Sequence, residues 1–171
     1  MDRRTRWVLL AYRLPREPST PRITLWRQLR RLGVAQVADG VVALPLDART
    51  REQLEWLAEE VVENGGEATI WLSEPATAGQ DRAVARRMAD AVAGEYVRLA
   101  EEAATAAAAG ESAAACRRTL ARLRRDLRRI RSRDHFPTVA GDRARVAIEA
   151  LAATLDPTGI ATLDATLEDA S

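Results

Sequence analysis

Val34-Ala35-Gln36-Val37-Ala38-Asp39-Gly40-Val41-Val42-Ala43-Leu44-Pro45 decides the fold. Asp39-Gly40 separates two apolar runs, and a tight hairpin turn of type I′ needs positive φ, which these residues tolerate. The stretch therefore reads as two adjacent antiparallel strands. Upstream, Trp7-Val8-Leu9-Leu10-Ala11-Tyr12-Arg13-Leu14 reads as a short buried strand stopped by Pro15. Pro15, Pro18 and Pro21 punctuate a loop, and Ser19 or Thr20 can cap a helix over 21–32 that closes on Gly33. Downstream, Thr50 opens a helix over about 51–63, closed by Asn64-Gly65-Gly66, and 67–72 forms a further strand. The order β-α-β-β-α-β within residues 1–75 predicts a ferredoxin-like α+β domain.

Residues 76–157 read as a helical extension. A loop over 73–80 leads to an alanine-rich helix from Asp81 to about Ala108, with Val84, Met88, Val92, Tyr96 and Leu99 on one side, and Gly110 breaks it. Helices follow over about 111–133 and 142–155, and 158–171 forms a C-terminal tail. Apolar residues make up 47% and charged residues 30%, ordinary for a globular chain able to bury a core. A single cysteine, Cys116, excludes an internal disulfide and a cysteine-rich zinc site, and its position beside Leu120, Leu123 and Leu127 marks it as a small core hydrophobe. No apolar run reaches membrane-spanning length and no signal-peptide pattern opens the chain, so a cytoplasmic location is expected.

All 26 basic residues are arginine, and the formal net charge of +1 conceals strong segregation. Residues 1–33 hold nine arginines against Asp2 and Glu17, and residues 111–135 hold nine against three acids. Residues 34–75 are acidic, with nine carboxylates against Arg49 and Arg51. Guanidinium stays ionised at any relevant pH and presents a planar donor fork that suits phosphate and other oxyanions. In the first block Arg22, Arg27, Arg30 and Arg31 share a helix whose opposite stripe reads as Leu25, Trp26, Leu29 and Leu32. The arginines there point to phosphate contact, to a solvated face, or to pairing with Glu52, Glu55, Glu59 and Glu60 of the neighbouring helix. In the second block Leu120, Leu123, Leu127 and Ile130 form a narrow seam, and only Asp126 interrupts nine arginines. Arginines at i, i+4 repel unless an anion compensates, so this helix points either to nucleic acid or to acidic partners within the protein or another subunit.

Other features read as structural. His135, the lone histidine, fits a helix-end packing role and has no partner at metal-ligand spacing. Trp7, Trp26, Trp56 and Trp71 occupy positions read as core. Glu59-Glu60 and Glu101-Glu102 are adjacent on helices and do not face one another, which disfavours acid–base work. No Walker loop, G-x-G-x-x-G, G-x-S-x-G or H-E-x-x-H is present, so no catalytic residue, metal or cofactor is assigned and an enzyme is disfavoured.

The stretch from Trp7 to Gly66 resembles a known family. The matching pattern is an apolar strand with Tyr12, then Leu14-Pro15-Arg16-Glu17-Pro18-Ser19-Thr20-Pro21-Arg22, Leu25-Trp26-Arg27, Leu29-Arg30-Arg31-Leu32-Gly33, Asp39-Gly40-Val41, Leu44-Pro45, Glu55-Trp56-Leu57 and Gly65-Gly66-Glu67-Ala68. It is similar to the N-terminal domain of the ChrB chromate-resistance regulators. The resemblance implies a cytoplasmic transcription factor governing a chromate-efflux operon, with DNA binding in its N-terminal part. The family's basic motif falls on Arg22, Arg27, Arg30 and Arg31. Full-length members carry a second, C-terminal domain implicated in chromate sensing, to which no part of these residues corresponds. More distantly, the pattern is similar to ferredoxin-like nucleases of CRISPR adaptation and to phenylacetate-pathway repressors. The nucleases place a metal-binding aspartate where this chain has Tyr12-Arg13-Leu14-Pro15, which removes the main support for metal-dependent cleavage.

The resulting expectation is a DNA-binding regulator whose contacts come from Arg16, Arg22, Arg27, Arg30, Arg31, Arg122, Arg125, Arg128 and Arg129. Chromate or another oxyanion is a candidate ligand of an arginine cluster, and a homodimer would suit symmetric half-sites. The alternatives are a non-enzymatic module that pairs with an acidic or sensor partner, and, less favoured, a metal-dependent nuclease.

Overall fold

Trp7–Arg13 alternates large apolar side chains on both faces of the backbone and forms strand β1, which must be covered on two sides. The computed structural model describes residues 4–155. In order, the elements are β1, α1 (Thr20–Leu32), β2 (Ala35–Ala38), β3 (Val41–Pro45), α2 (Ala48–Glu63), β4 (Glu67–Ser73), α3 (Ala78–Ala108), α4 (Ala113–Arg131) and α5 (Val139–Ala153). The four strands make one mixed-connection antiparallel sheet in the order β2-β3-β1-β4. β1 pairs antiparallel with β3, Val8 opposite Leu44, and with β4, Val8 opposite Leu72. The α+β class and the element order follow the sequence reading. The tail expected over 158–171 lies outside the described residues.

The described chain divides into two compact units. One comprises residues 4–90 with Arg133–Phe136, the other residues 91–132 with 137–155. In the first, Val8, Leu10, Val42 and Leu44 point to one side of the sheet and pack with Leu25 and Leu29 of α1 and Leu54, Leu57 and Val61 of α2. Trp7 points to the other side, 5.9 Å from the Phe136 ring, with its indole N–H donating to the Asp81 carboxylate of α3 at 3.0 Å. The same carboxylate accepts from the Thr5 amide at 2.9 Å. In the second unit, Val92, Tyr96 and Leu99 of α3 pack with Cys116, Leu120, Leu123, Leu127 and Ile130 of α4 and with Ala144, Ile148 and Leu151 of α5. Cys116 is thus the buried small hydrophobe expected.

Local chemistry moved several boundaries. α2 starts at Ala48, not near 51, because Asp47 accepts from the Thr50 amide at 2.7 Å while Thr50 Oγ1 accepts from the Asp47 amide at 3.0 Å, a reciprocal cap. α5 starts at Val139 because Thr138 caps it by accepting from the Gly141 amide. Ser19 does stand at the N-cap of α1, but its backbone is right-handed helical and its side chain makes no capping bond. The β2–β3 hairpin is present without the expected turn type. Type I′ requires positive φ at both central residues, and here only Gly40 has it, at 71°. A side chain at Gly40 would also lie 2.5 Å from the Tyr12 carbonyl oxygen. The pairing shifts register between Gln36 and Ala38, and this irregularity lets the hairpin close with Asp39 at ordinary φ. His135 packs as expected at a helix end, with Nε2 2.8 Å from the Leu32 carbonyl oxygen.

Two stability outcomes follow. Asp81→Ala strands the buried indole N–H of Trp7 and should cost about 2 kcal/mol in urea unfolding; an unchanged midpoint would show that the bond contributes nothing. Asp47→Ala should cost about 1 kcal/mol. The Thr50 amide holds the Asp47 carboxyl below the usual carboxylate range, outweighing the opposing effect of partial burial. Its capping contribution is therefore complete above the ordinary carboxylate pKa and is lost as pH falls through the lowered one, so the wild-type advantage over the alanine variant should shrink only in acid.

Candidate nucleic-acid interface

The α4 sequence alternates its chemistry around the helix. Cys116, Leu120, Leu123, Leu127 and Ile130 are buried, and every arginine from Arg117 to Arg131 is exposed. At about 100° per residue, Arg118 and Arg125 lie opposite the buried seam with Arg128 beside them, and Arg117, Arg124 and Arg131 lie toward one edge of that seam. Arg122 and Arg129 also point outward, toward the flank that carries Asp126. Arg122 meets Glu102 of α3 at 2.8 Å and Asp126 at 3.6 Å, and Arg129 meets Asp126 at 3.4 Å. These pairs are largely exposed and contribute little to stability, but they do neutralise that flank. Among the described residues no carboxylate lies within ion-pair distance of Arg117, Arg118, Arg124, Arg125, Arg128 or Arg131. Of the four α4 residues singled out from sequence, Arg125 and Arg128 are therefore unpaired and Arg122 and Arg129 are partnered.

In the first unit, Arg22, Arg27, Arg30 and Arg31 of α1 are all exposed, as is Arg16 in the preceding loop. None pairs with a carboxylate among the described residues. Of the three alternatives, pairing with the α2 glutamates does not occur: Glu55 binds Arg51 at 2.7 Å, and Glu60 accepts from Gln28 at 2.9 Å. Arg22 instead donates to the Arg16 carbonyl at 3.3 Å. Arg13, Arg16, Arg22 and Arg27 converge on an open cleft of about 1010 Å³ that is also lined by Tyr12, Ser19 and Trp26. Partial burial raises the Tyr12 hydroxyl pKa above its ordinary value, so this wall stays neutral.

The tryptophans correct the sequence reading. Trp7 is core, but Trp26, Trp56 and Trp71 are 55%, 63% and 60% exposed. On α1 the buried stripe is Leu25 and Leu29, and Trp26 falls on the arginine side, where the Arg30 guanidinium carbon lies 4.9 Å from its ring centre. On α2 the buried positions are Thr50, Leu54, Leu57 and Val61, which leaves Trp56 outward. Trp71 sits on the edge strand β4 opposite Leu9, with no strand beyond it among the described residues.

The sequence reading also missed a second cleft, of about 840 Å³, between the Trp7 face of the sheet and the start of α3. Leu9, Val37 and Ala43 form its apolar floor, and Arg82, Arg86 and Arg87 line its other wall. The i, i+4, i+5 spacing of those arginines was the available signal, obscured because this segment reads first as an amphipathic core helix. Among the described residues no group of three or more His, Cys, Asp or Glu is placed to hold a metal ion, and no helix is long and apolar enough to cross a membrane.

Comparison with known proteins matches residues 22–159 to the family described as Protein ChrB, N-terminal. A protein named Protein ChrB from Cupriavidus metallidurans is 31% identical over 167 residues, covering 92% of this chain and 51% of that protein. The chain thus spans about half the length of the curated relative it matches. No solved structure matches it.

Proposed function

We propose a function from one premise: the chain belongs to the ChrB N-terminal family. On that premise it is a regulatory protein of the chromate-resistance type, acting inside the cell by binding DNA and not by catalysis. The β-α-β-β-α-β order with its β2-β3-β1-β4 sheet is read, in the same proposal, as the ferredoxin-like arrangement.

The observation that carries DNA binding is the unpaired outward row of α4. Arg118, Arg125 and Arg128 span about 15 Å of helix axis, and no carboxylate among the described residues lies within ion-pair distance of them. Such a surface attracts a polyanion by releasing its condensed counterions, and it positions the protein on the phosphate backbone with little dependence on base sequence. Arg16 and Arg22, on the rim of the first unit's cleft, are proposed as further phosphate contacts. Arg122 and Arg129 contribute less, because Asp126 and Glu102 already compensate them. Arg27, Arg30 and Arg31 share their helix face with Ile23 and Trp26, which suits a protein surface better than a sugar-phosphate chain.

Titrating duplex DNA against the chain at several salt concentrations tests the reading. The logarithm of affinity should fall linearly with the logarithm of salt, and the double variant Arg125→Ala, Arg128→Ala should weaken binding and reduce the slope by about two. A slope identical to wild type would remove α4 from the interface.

A second reading is favoured by the convergence of Arg13, Arg16, Arg22 and Arg27 on one cleft, which suits a tetrahedral oxyanion such as chromate. In equilibrium dialysis, chromate should bind the wild-type chain and be lost from the Arg16→Ala, Arg22→Ala variant. Equal retention by both, or by neither, dismisses this reading.

A further inference from the structure

α1 and α2 lie side by side over the Val8–Leu10 face of the sheet, joined by the Gln28–Glu60 hydrogen bond. Their outer faces carry opposite charge. α1 presents Arg27, Arg30 and Arg31 with Trp26 and contains no acid. α2 presents Glu52, Glu59 and Glu63 around Trp56. Among the described residues, none of these three arginines or three glutamates has an ion-pair partner. The two rows are neighbours, yet they do not neutralise each other, because each points away from the sheet instead of toward the adjacent helix.

A surface with a basic strip beside an acidic strip is complementary to itself after a half turn. Two such rotations bring this layer face to face with its copy. A dyad across the helices sets α1 on α1, arginine against arginine, and like charges so opposed are costly. A dyad along the helices sets α1 of each copy on α2 of the other, which joins both charge rows at once. The interface is isologous, so each contact occurs twice. It also needs apolar anchors to offset the desolvation of the charges, and the exposed indoles of Trp26 and Trp56 supply them. Tryptophan and arginine are the residues that most often dominate binding energy at protein interfaces.

We propose that the outer face of α1 and α2 is a homodimer interface, in which α1 of one copy packs on α2 of a second copy through Trp26, Trp56 and the opposed arginine and glutamate rows. The proposal does not depend on the DNA reading, since it concerns different residues and is measured without DNA.

Sedimentation equilibrium of the full chain at low salt tests it with two charge reversals. One variant carries Arg27→Glu, Arg30→Glu and Arg31→Glu; the other carries Glu52→Arg, Glu59→Arg and Glu63→Arg. Each alone should dissociate, with its dimer constant weakened at least about a hundredfold, while circular dichroism stays unchanged. Mixed one to one, the two should reassociate, because glutamate on α1 of the first then meets arginine on α2 of the second, and the native pairing completes the other half. A monomeric wild type, a reversed variant that dimerises as wild type does, or a mixture that stays monomeric overturns the proposal.

Discussion

The fold of the first unit depends on covering β1 from both sides. β1 is interior to the sheet, flanked by β3 and β4, and its side chains are large in both directions. α1 and α2 bury one face. The other depends on a polar bond in an apolar setting: Asp81, itself buried, accepts from the Trp7 indole and from the Thr5 amide. A buried carboxylate is costly unless its oxygens are satisfied. Here each oxygen has a donor, so the start of α3 is fixed over Trp7, and Met88, two turns further along the same helix face, joins the same core.

Much of this was legible in the residues. A short apolar run stopped by Pro15 located β1, Gly33 ended α1 with a left-handed φ of 69°, and the leucine seam of α4 fell where its period put it. Boundaries failed where a side chain, not the apolar period, chooses the first turn. Asp47 and Thr138 each lengthen a helix by capturing an amide, and neither contributes to hydrophobic patterning. The tryptophans failed for a different reason. Phase, not residue identity, decides burial: an apolar stripe on a helix is about 100° wide, and Leu25 with Leu29 already fills it, so Trp26 lies outside.

The arginines were legible in number but not in partnership. Sequence alone offered Glu52, Glu55, Glu59 and Glu60 as partners for α1, and for α4 only Asp126 within the run beside acidic partners elsewhere in the protein or on another subunit. Which pairs form depends on whether two side chains can meet without leaving their helix faces. Glu102 can reach Arg122, and Asp126 lies one turn from Arg122 and close to Arg129. The glutamates of α2 point outward beside arginines that also point outward, so proximity of the helices produces one hydrogen bond, from Gln28, and no charge pair with α1.

The two basic helices therefore differ in company more than in charge. The face of α4 is guanidinium with alanine between, and it can remain hydrated while exchanging counterions for phosphates. The face of α1 sets Arg30 against the Trp26 ring and adds Ile23. Guanidinium is more weakly hydrated than an ammonium and stacks on aromatic planes, so an arginine so placed loses less on desolvation than a lysine would. Charges taken out of water are recovered only by close partners and adjacent apolar area. α1 carries the apolar area itself, and in the proposed dimer α2 of the second copy would supply the carboxylates. By that criterion a lysine-free surface can carry arginines in two kinds of company, and the neighbouring indole distinguishes the row proposed to face protein from the row proposed to face phosphate.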